Sequence, residues 1–344
     1  LYSIVGLLLV ANTINIAADI GAMGEALQML VGGPEHGHAL VFGLVIVLLQ
    51  VFLPYQKLAP LLKWLTLAVF SYVAVLFFLH VPWGQVIVAT FVPPVEFTAD
   101  YAMMLVAVLG TTISPYLFFW QAAQEVEEIR ADDQRDALRV SPTRARHHLR
   151  RIRIDTWFGM FVSNAVAFAI MLTAAVTFHQ AGITTIDTSA QAAQALRPIA
   201  GDFAFMLFAL GIIGTGMLAL PVLAGSAAYA VADALQWPQG LNLRFNAAKG
   251  FYTIIAVSTL GGALIDFTPI DPLKALVVSA VINGVVAVPI MYVMMRLAMR
   301  ADVMGPYTIR RRQRLLGWFA TGLMAVAVIA MFASFLAGGA SVGN

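Results

Sequence analysis

The chain contains no cysteine, which excludes disulfides, thiolate metal centres and cysteine nucleophiles. Charge is also scarce. Asp, Glu, Lys and Arg together make up 11% of the residues, against about 25% in soluble domains. The histidines are few, and they fall near expected span ends or in loops. None forms a His-x3-His or His-Glu-x-x-His pattern, which argues against a zinc hydrolase. A basic leader with a small-residue cleavage site is missing too. Leu1-Tyr2-Ser3 runs straight into the apolar stretch Ile4–Val10 with no initiating Met. The sequence is therefore expected to be truncated and to begin at or inside a transmembrane helix.

What is present is apolar surface. Hydrophobic residues make up 60% of the chain, and the mean hydropathy is +0.85. A soluble globule of this size cannot bury that much in one core. The apolar residues come in runs of roughly 20, the length that crosses the hydrocarbon layer. Phe203–Leu223 is one such run, and it carries no charge. A β-barrel would show alternating segments of about ten residues instead. The fold class is therefore all-α, a polytopic membrane protein. About nine spans are expected, near 2–31, 37–53, 59–80, 99–126, 153–178, 202–232, 248–267, 273–298 and 314–337. Pro82–Pro94 is expected to be a short interfacial loop. With the first end inside, 18 of the 20 Lys and Arg residues fall in alternate loops on one side, and only Arg197 and Lys274 on the other. That asymmetry makes the basic loops cytoplasmic. Segment 127–151, rich in Arg, reads as a solvated loop and implies no nucleic-acid partner. No strict internal repeat is visible.

Polar groups inside a membrane are costly and mark function. Asn12, Asn15 and Asp19 share one face of the first helix by their spacing, and Glu25 follows on another face. A carboxylate at mid-helix costs about 2.5–3.5 kcal/mol to insert, so this face must look into the bundle or a wet cavity. It serves either an ion or proton pathway or a polar zipper between helices. The fourth span brings Gly110, Thr111, Thr112, Ser114 and Pro115 together at mid-membrane. Proline removes a donor and clashes with the preceding turn. The expected result is a discontinuous helix whose freed carbonyls can coordinate a cation, with a simple kink as the alternative. Further along, Gln121 is a candidate to line an inner vestibule. Gly211, Gly214, Gly216 and Pro221 read as packing or bending positions. Asn283, beside Gly284 and ahead of Pro289, is a further candidate for the pathway, and Asn164 is similar.

Two stretches, taken together, carry a resemblance. Asn12–Leu27 (NTINIAADIGAMGEAL) resembles the third helix of the Nramp family of divalent metal transporters, and Gly110–Gln121 (GTTISPYLFFWQ) resembles its broken sixth helix. Gly214–Ala230 and Asn283–Pro289 look like its eighth and tenth helices. The resemblance implies the leucine-transporter fold with two inverted five-helix repeats. Residues 1–80 would be the rest of the first repeat, 99–298 the second, and 314–337 an additional helix. It also implies that the first two helices, with a metal-binding Asp-Pro-Gly segment, lie outside this sequence, so that the chain holds half of the site. In the sixth helix the family reads Ala-x-x-Met-Pro-His-Asn. Thr111 stands where the Ala carbonyl binds metal, Ser114 where the Met stands, and Tyr116 where the His stands. Gln121 replaces a second His.

A thioether favours transition metals over Mg²⁺ and Ca²⁺, whereas a hydroxyl is a hard ligand. The implied cargo is therefore a divalent ion of the Mn²⁺ and Fe²⁺ class, with Mg²⁺ added, as in the Nramp-related magnesium transporter branch. No resident cofactor is implied. Asp19 matches an Asp of the family's proton pathway. Ala22 stands where the family has Glu, which leaves coupling to protons open. The implied protein is no enzyme, and it sits in the cell membrane with the lipid bilayer as its surroundings. The alternative reading is an ion-coupled carrier of amino acids or other organic solutes with the same fold. It would need groups that hold a carboxylate, and none is found at the expected midplane.

Overall fold

Apolar runs in lipid must satisfy their own backbone, and within one segment only a helix does so. A computed structural model of the chain describes residues 2–53, 55–93, 98–131, 142–181, 189–268 and 272–341, and no strand occurs among them. In chain order the helices are α1 (Tyr2–Val31), α2 (Glu35–Phe52), α3 (Tyr55–Val75), α4 (Trp83–Phe91), α5 (Ala99–Thr112) and α6 (Pro115–Ala131). They continue with α7 (Pro142–Ala181), α8 (Ser189–Leu235), α9 (Lys249–Ile265), α10 (Pro272–Ala298), α11 (Ala301–Met304) and α12 (Arg311–Ser341). Among the described residues, seven spans are long and apolar enough to cross a membrane, Ala99–Ile129 counting as one. Two shorter apolar helices lie at Trp64–Phe78 and Lys249–Ile265. Together they match the nine expected spans.

Two expectations are corrected. The loop over Pro82–Pro94 contains α4, with Pro82 at its N-cap; Pro94 lies outside the described residues. In the expected solvated loop over 127–151 the described residues, 127–131 and 142–151, are helical, because α6 runs to Ala131 and α7 starts at Pro142. Proline suits a first helical position, where its missing donor costs nothing. The Arg, Ala and Leu residues that follow are strong helix formers. High polarity signals solvation and does not distinguish a loop from a solvated helix. Arg135 and Arg139 of this segment lie outside the described residues.

The chain divides into two units. One comprises Leu1–Pro94 and Val162–Leu276, the other Val95–Phe161 and Val277–Asn344. In the first unit α1 is the central helix, packed on α2, α8 and α9. Leu8, Ile16, Ile20 and Met23 on α1 are fully buried. Small residues let the backbones close up, as membrane helix packing requires. A Cβ at Gly262 of α9 would lie 2.6 Å from Ile16 Cγ2 and 3.0 Å from the Ala17 nitrogen. One at Gly24 of α1 would lie 2.9 Å from the Glu35 carbonyl oxygen. At Gly211 of α8 it would meet Ser71 and Tyr72 of α3, which supports a packing role for that glycine. The long helix α8 is interrupted at Gly201, whose φ of 83° and ψ of 173° only glycine adopts readily. Its apolar part after Gly201 is the expected sixth span.

In the second unit α5 packs against α12. Val106, Val328 and Met331 form a buried cluster there. Tyr292 of α10 meets Trp318 of α12 edge-on, with ring centroids 5.5 Å apart. Large apolar side chains such as Leu315, Leu316, Phe319, Val326 and Ile329 are exposed along α12. In lipid this exposure costs nothing, because tails are as apolar as leucine.

Candidate functional site

The expected discontinuity is present, and its position is sharper than the sequence allowed. α5 ends at Thr112, Ile113 leaves the helical region with φ −113° and ψ 54°, and α6 begins at Pro115. Pro115 has no N–H, so the Thr111 carbonyl has no donor one turn ahead. The Ser114 hydroxyl takes that place. It lies 2.9 Å from the Thr111 carbonyl oxygen and 2.6 Å from that of Gly110, and donates to them. Thr111 Oγ1 donates to the Val108 carbonyl at 2.8 Å, and Thr112 Oγ1 to the same oxygen at 2.7 Å. The break is thus a compact group of carbonyl and hydroxyl oxygens. Thr111 is exposed, whereas Ser114 is 1% exposed.

Gly110 positions this group. A Cβ there would fall 2.1 Å from the Ala280 carbonyl oxygen and 2.6 Å from the Gly284 nitrogen. The backbones of α5 and α10 therefore touch one turn before the break. Asn283, the neighbour of Gly284, is 2% exposed, and its Oδ1 has no hydrogen-bond partner among the described residues. A buried unpaired carbonyl oxygen costs about 1–3 kcal/mol, and it is also a free hard donor. Sequence reasoning named Gly110, Ser114 and Pro115 as one group and Asn283 apart from it, and the contact of Gly110 with Gly284 brings the helix of Asn283 against that group.

Gln121 lies elsewhere, about two turns along α6. It is exposed, and its Nε2 donates to Glu125 Oε1 at 3.0 Å. Glu125 in turn accepts from Arg151 Nη2 at 3.3 Å, and the same guanidinium pairs with Glu128. Gln121 thus belongs to a charged network at the junction of α6 and α7.

In the first unit, the polar face of α1 has two parts. Asn12 Nδ2 donates to the Leu223 carbonyl at 3.0 Å and to Ser226 Oγ at 2.9 Å, both on α8. That is the polar zipper. Asn15 is buried, and Asp19 is half-buried on the same helix. No Lys or Arg pairs with Asp19 among the described residues. Gly216 of α8 faces α1 at this level, where an added Cβ would meet Met23 and approach the Asp19 carbonyl. Beside it, Thr215 Oγ1 lies 3.4 Å from the Tyr72 hydroxyl. Sequence reasoning missed Tyr72, Thr215 and Ser226, because single hydroxyls in apolar runs give no periodic signal. It also missed the joining of Glu35, His36 and Asp266, which are distant in sequence.

The divalent metal cation transporter MntH of Deinococcus radiodurans is 27% identical over 333 residues, covering 94% of this chain and 69% of the relative. The protein of the same name from Clostridium acetobutylicum is 24% identical over 269 residues, covering 77% and 57%. That from Mesorhizobium japonicum is 26% identical over 211 residues, covering 58% and 44%. The chain thus spans between about half and two thirds of these relatives. The model of the Nramp family, natural resistance-associated macrophage protein-like, matches residues 1–334. With that match running through the whole helical array and its broken α5–α6 pair, this multi-pass membrane chain belongs to the Nramp family.

Proposed function

We propose that the protein moves divalent metal cations across a cell membrane by alternating access, taking Mn²⁺ and Fe²⁺ and also admitting Mg²⁺. The observation that carries this reading is the break at Ile113–Ser114, where carbonyl and hydroxyl oxygens gather in a membrane-spanning helix. Thr111, through its carbonyl, and Ser114, through its hydroxyl, are the metal ligands in this reading, with Gly110 and Pro115 creating the break. Neutral oxygens alone do not balance a divalent charge, so carboxylates outside this group complete the site. The donor set is hard throughout, which favours Mg²⁺ more than a thioether site would. The unpaired Asn283 Oδ1 adds one more hard oxygen. Asp19 and Asn15 line the ion or proton pathway on α1, and Gln121 belongs to its inner end. The basic loops face the cytoplasm. Residues 1–80 and 99–298 belong to two inverted repeats, with 314–337 as an additional helix.

The test is uptake by the full-length protein in liposomes, with Mn²⁺ and Mg²⁺ in competition and internal pH recorded. Both ions are expected to enter, with excess Mg²⁺ suppressing Mn²⁺ uptake. If neither ion enters, the transport reading is wrong. If Mn²⁺ uptake ignores a large excess of Mg²⁺, the hard-donor argument from Ser114 is wrong. Acidification in step with metal entry would show coupling to protons, and a steady pH would show its absence.

A further inference from the structure

Two helix ends meet in the first unit. Glu35 and His36 open α2, and Asp266 caps the end of α9. His36 Nδ1 lies 2.9 Å from Asp266 Oδ2. One donor atom from each of Glu35, His36 and Asp266 lies within 4.8 Å of the other two. The Asp266 side chain is 2% exposed and that of His36 53%. The His36 ring also leans on Phe267, with centroids 5.2 Å apart, which holds its orientation.

Electrostatics make this cluster short of positive charge. Asp266 sits at a helix C-terminus, where the helix dipole already places partial negative charge. A second carboxylate is close by, and no Lys or Arg pairs with Asp266 among the described residues. Even a protonated His36 offsets only one of the two carboxylates. Buried carboxylates are normally paired with a cation or coordinate a metal.

The spacing suits a metal. Donors held about 2.0–2.2 Å from one ion stand roughly 3 Å apart. The His36–Asp266 distance already meets that, and Glu35, half-buried on the first turn of α2, closes the remainder by a rotamer change. One imidazole and two carboxylates, open to water past the exposed His36, suit first-row transition ions better than Mg²⁺ or Ca²⁺. We propose that Glu35, His36 and Asp266 form an exchangeable binding site for a divalent transition-metal ion, joining the start of α2 to the end of α9. The site shares no residue with the α5–α6 break and does not rest on the transport reading.

The experiment uses the full-length protein purified in detergent, with Mn²⁺ as probe and no gradient. Pulsed electron paramagnetic resonance reads whether a bound Mn²⁺ carries an imidazole nitrogen, and equilibrium dialysis reads affinity. The α5–α6 break offers oxygen alone, so nitrogen coupling separates the two sites. The expected result is a nitrogen coupling that His36→Gln abolishes. Asp266→Asn is expected to weaken this binding at least about tenfold, the scale seen when even an outer partner of a ligand is removed. Glu35→Gln is expected to weaken it by less. Gel filtration and thermal unfolding without metal establish that each variant is folded. If Asp266→Asn does not fold, His36→Gln and Glu35→Gln decide the matter. Absence of nitrogen coupling in the parent protein, or its persistence in folded His36→Gln, overturns the proposal. Failure of both ions to enter in the liposome assay, with nitrogen coupling intact in detergent, counts against the transport reading alone.

Discussion

Asn12 and Ser114 show how single polar side chains act in a membrane interior. Asn12 joins α1 to α8 through two hydrogen bonds. Such contacts between membrane helices average about 0.6 kcal/mol each. Asn12→Ala is therefore expected to cost about 1 kcal/mol in unfolding free energy, and a double-mutant cycle with Ser226→Ala should assign part of that loss to the pair. Ser114 meets two carbonyls that the break leaves without backbone donors. Ser114→Cys keeps the size and swaps hard oxygen for soft sulfur. Under the transport reading it should shift selectivity from Mg²⁺ towards Cd²⁺ by about tenfold, or about 1.4 kcal/mol, in competition uptake assays. An unchanged ratio would remove Ser114 from the ligand set. Both residues were legible from their cost in an apolar run. The partners of Ser114 lie three and four residues back in the same run, whereas those of Asn12 were not legible, because hydrogen bonds across more than 200 positions, as to Leu223, leave no local trace.

At the scale of elements, the α5–α6 break depends on the approach of α10. A Cβ at Gly110 would overlap backbone atoms of Ala280 and Gly284, and backbone cannot swing aside as a flexible side chain does. Gly110→Ala should therefore cost at least about 3 kcal/mol, the upper range for overpacking, and reduce the yield of monodisperse protein. Gly322→Ala in α12 of the same unit is the control, since nothing lies within 4 Å of the added carbon. Its effect should stay within about 0.5 kcal/mol. Comparable losses for both would show that α5 does not need this close contact. The break itself could be anticipated, because Pro115 after a Gly-Thr-Thr-Ile-Ser run has a local backbone consequence. The helical course of 142–152 could not, since charge there reports only contact with water.

For the whole chain, two properties invite one measurement. Basic residues are placed asymmetrically, and there is no cysteine to interfere with labelling. Thr308→Cys, beside the Arg310–Arg314 cluster, should react with a membrane-impermeant thiol reagent only from the cytoplasmic side. Gln85→Cys on the exposed helix α4 should react only from the opposite side. Labelling of both from one side would contradict the orientation.

Composition, run length and charge placement were enough to establish a polytopic helical membrane chain. Lipid forces each apolar run to satisfy its own backbone, so each span is a local decision. The Gly-Pro interruption belongs to the same class of local information. Which face of a helix meets which neighbour is another matter. Lipid and protein interior are equally apolar, so periodicity cannot tell a packed face from a lipid-facing one. The contact of Gly110 with Gly284, the attachment of Asn12 to α8 and the meeting of His36 with Asp266 were decided by tertiary packing, because close backbone approach and complementary polar groups select among faces that hydrophobicity leaves equivalent.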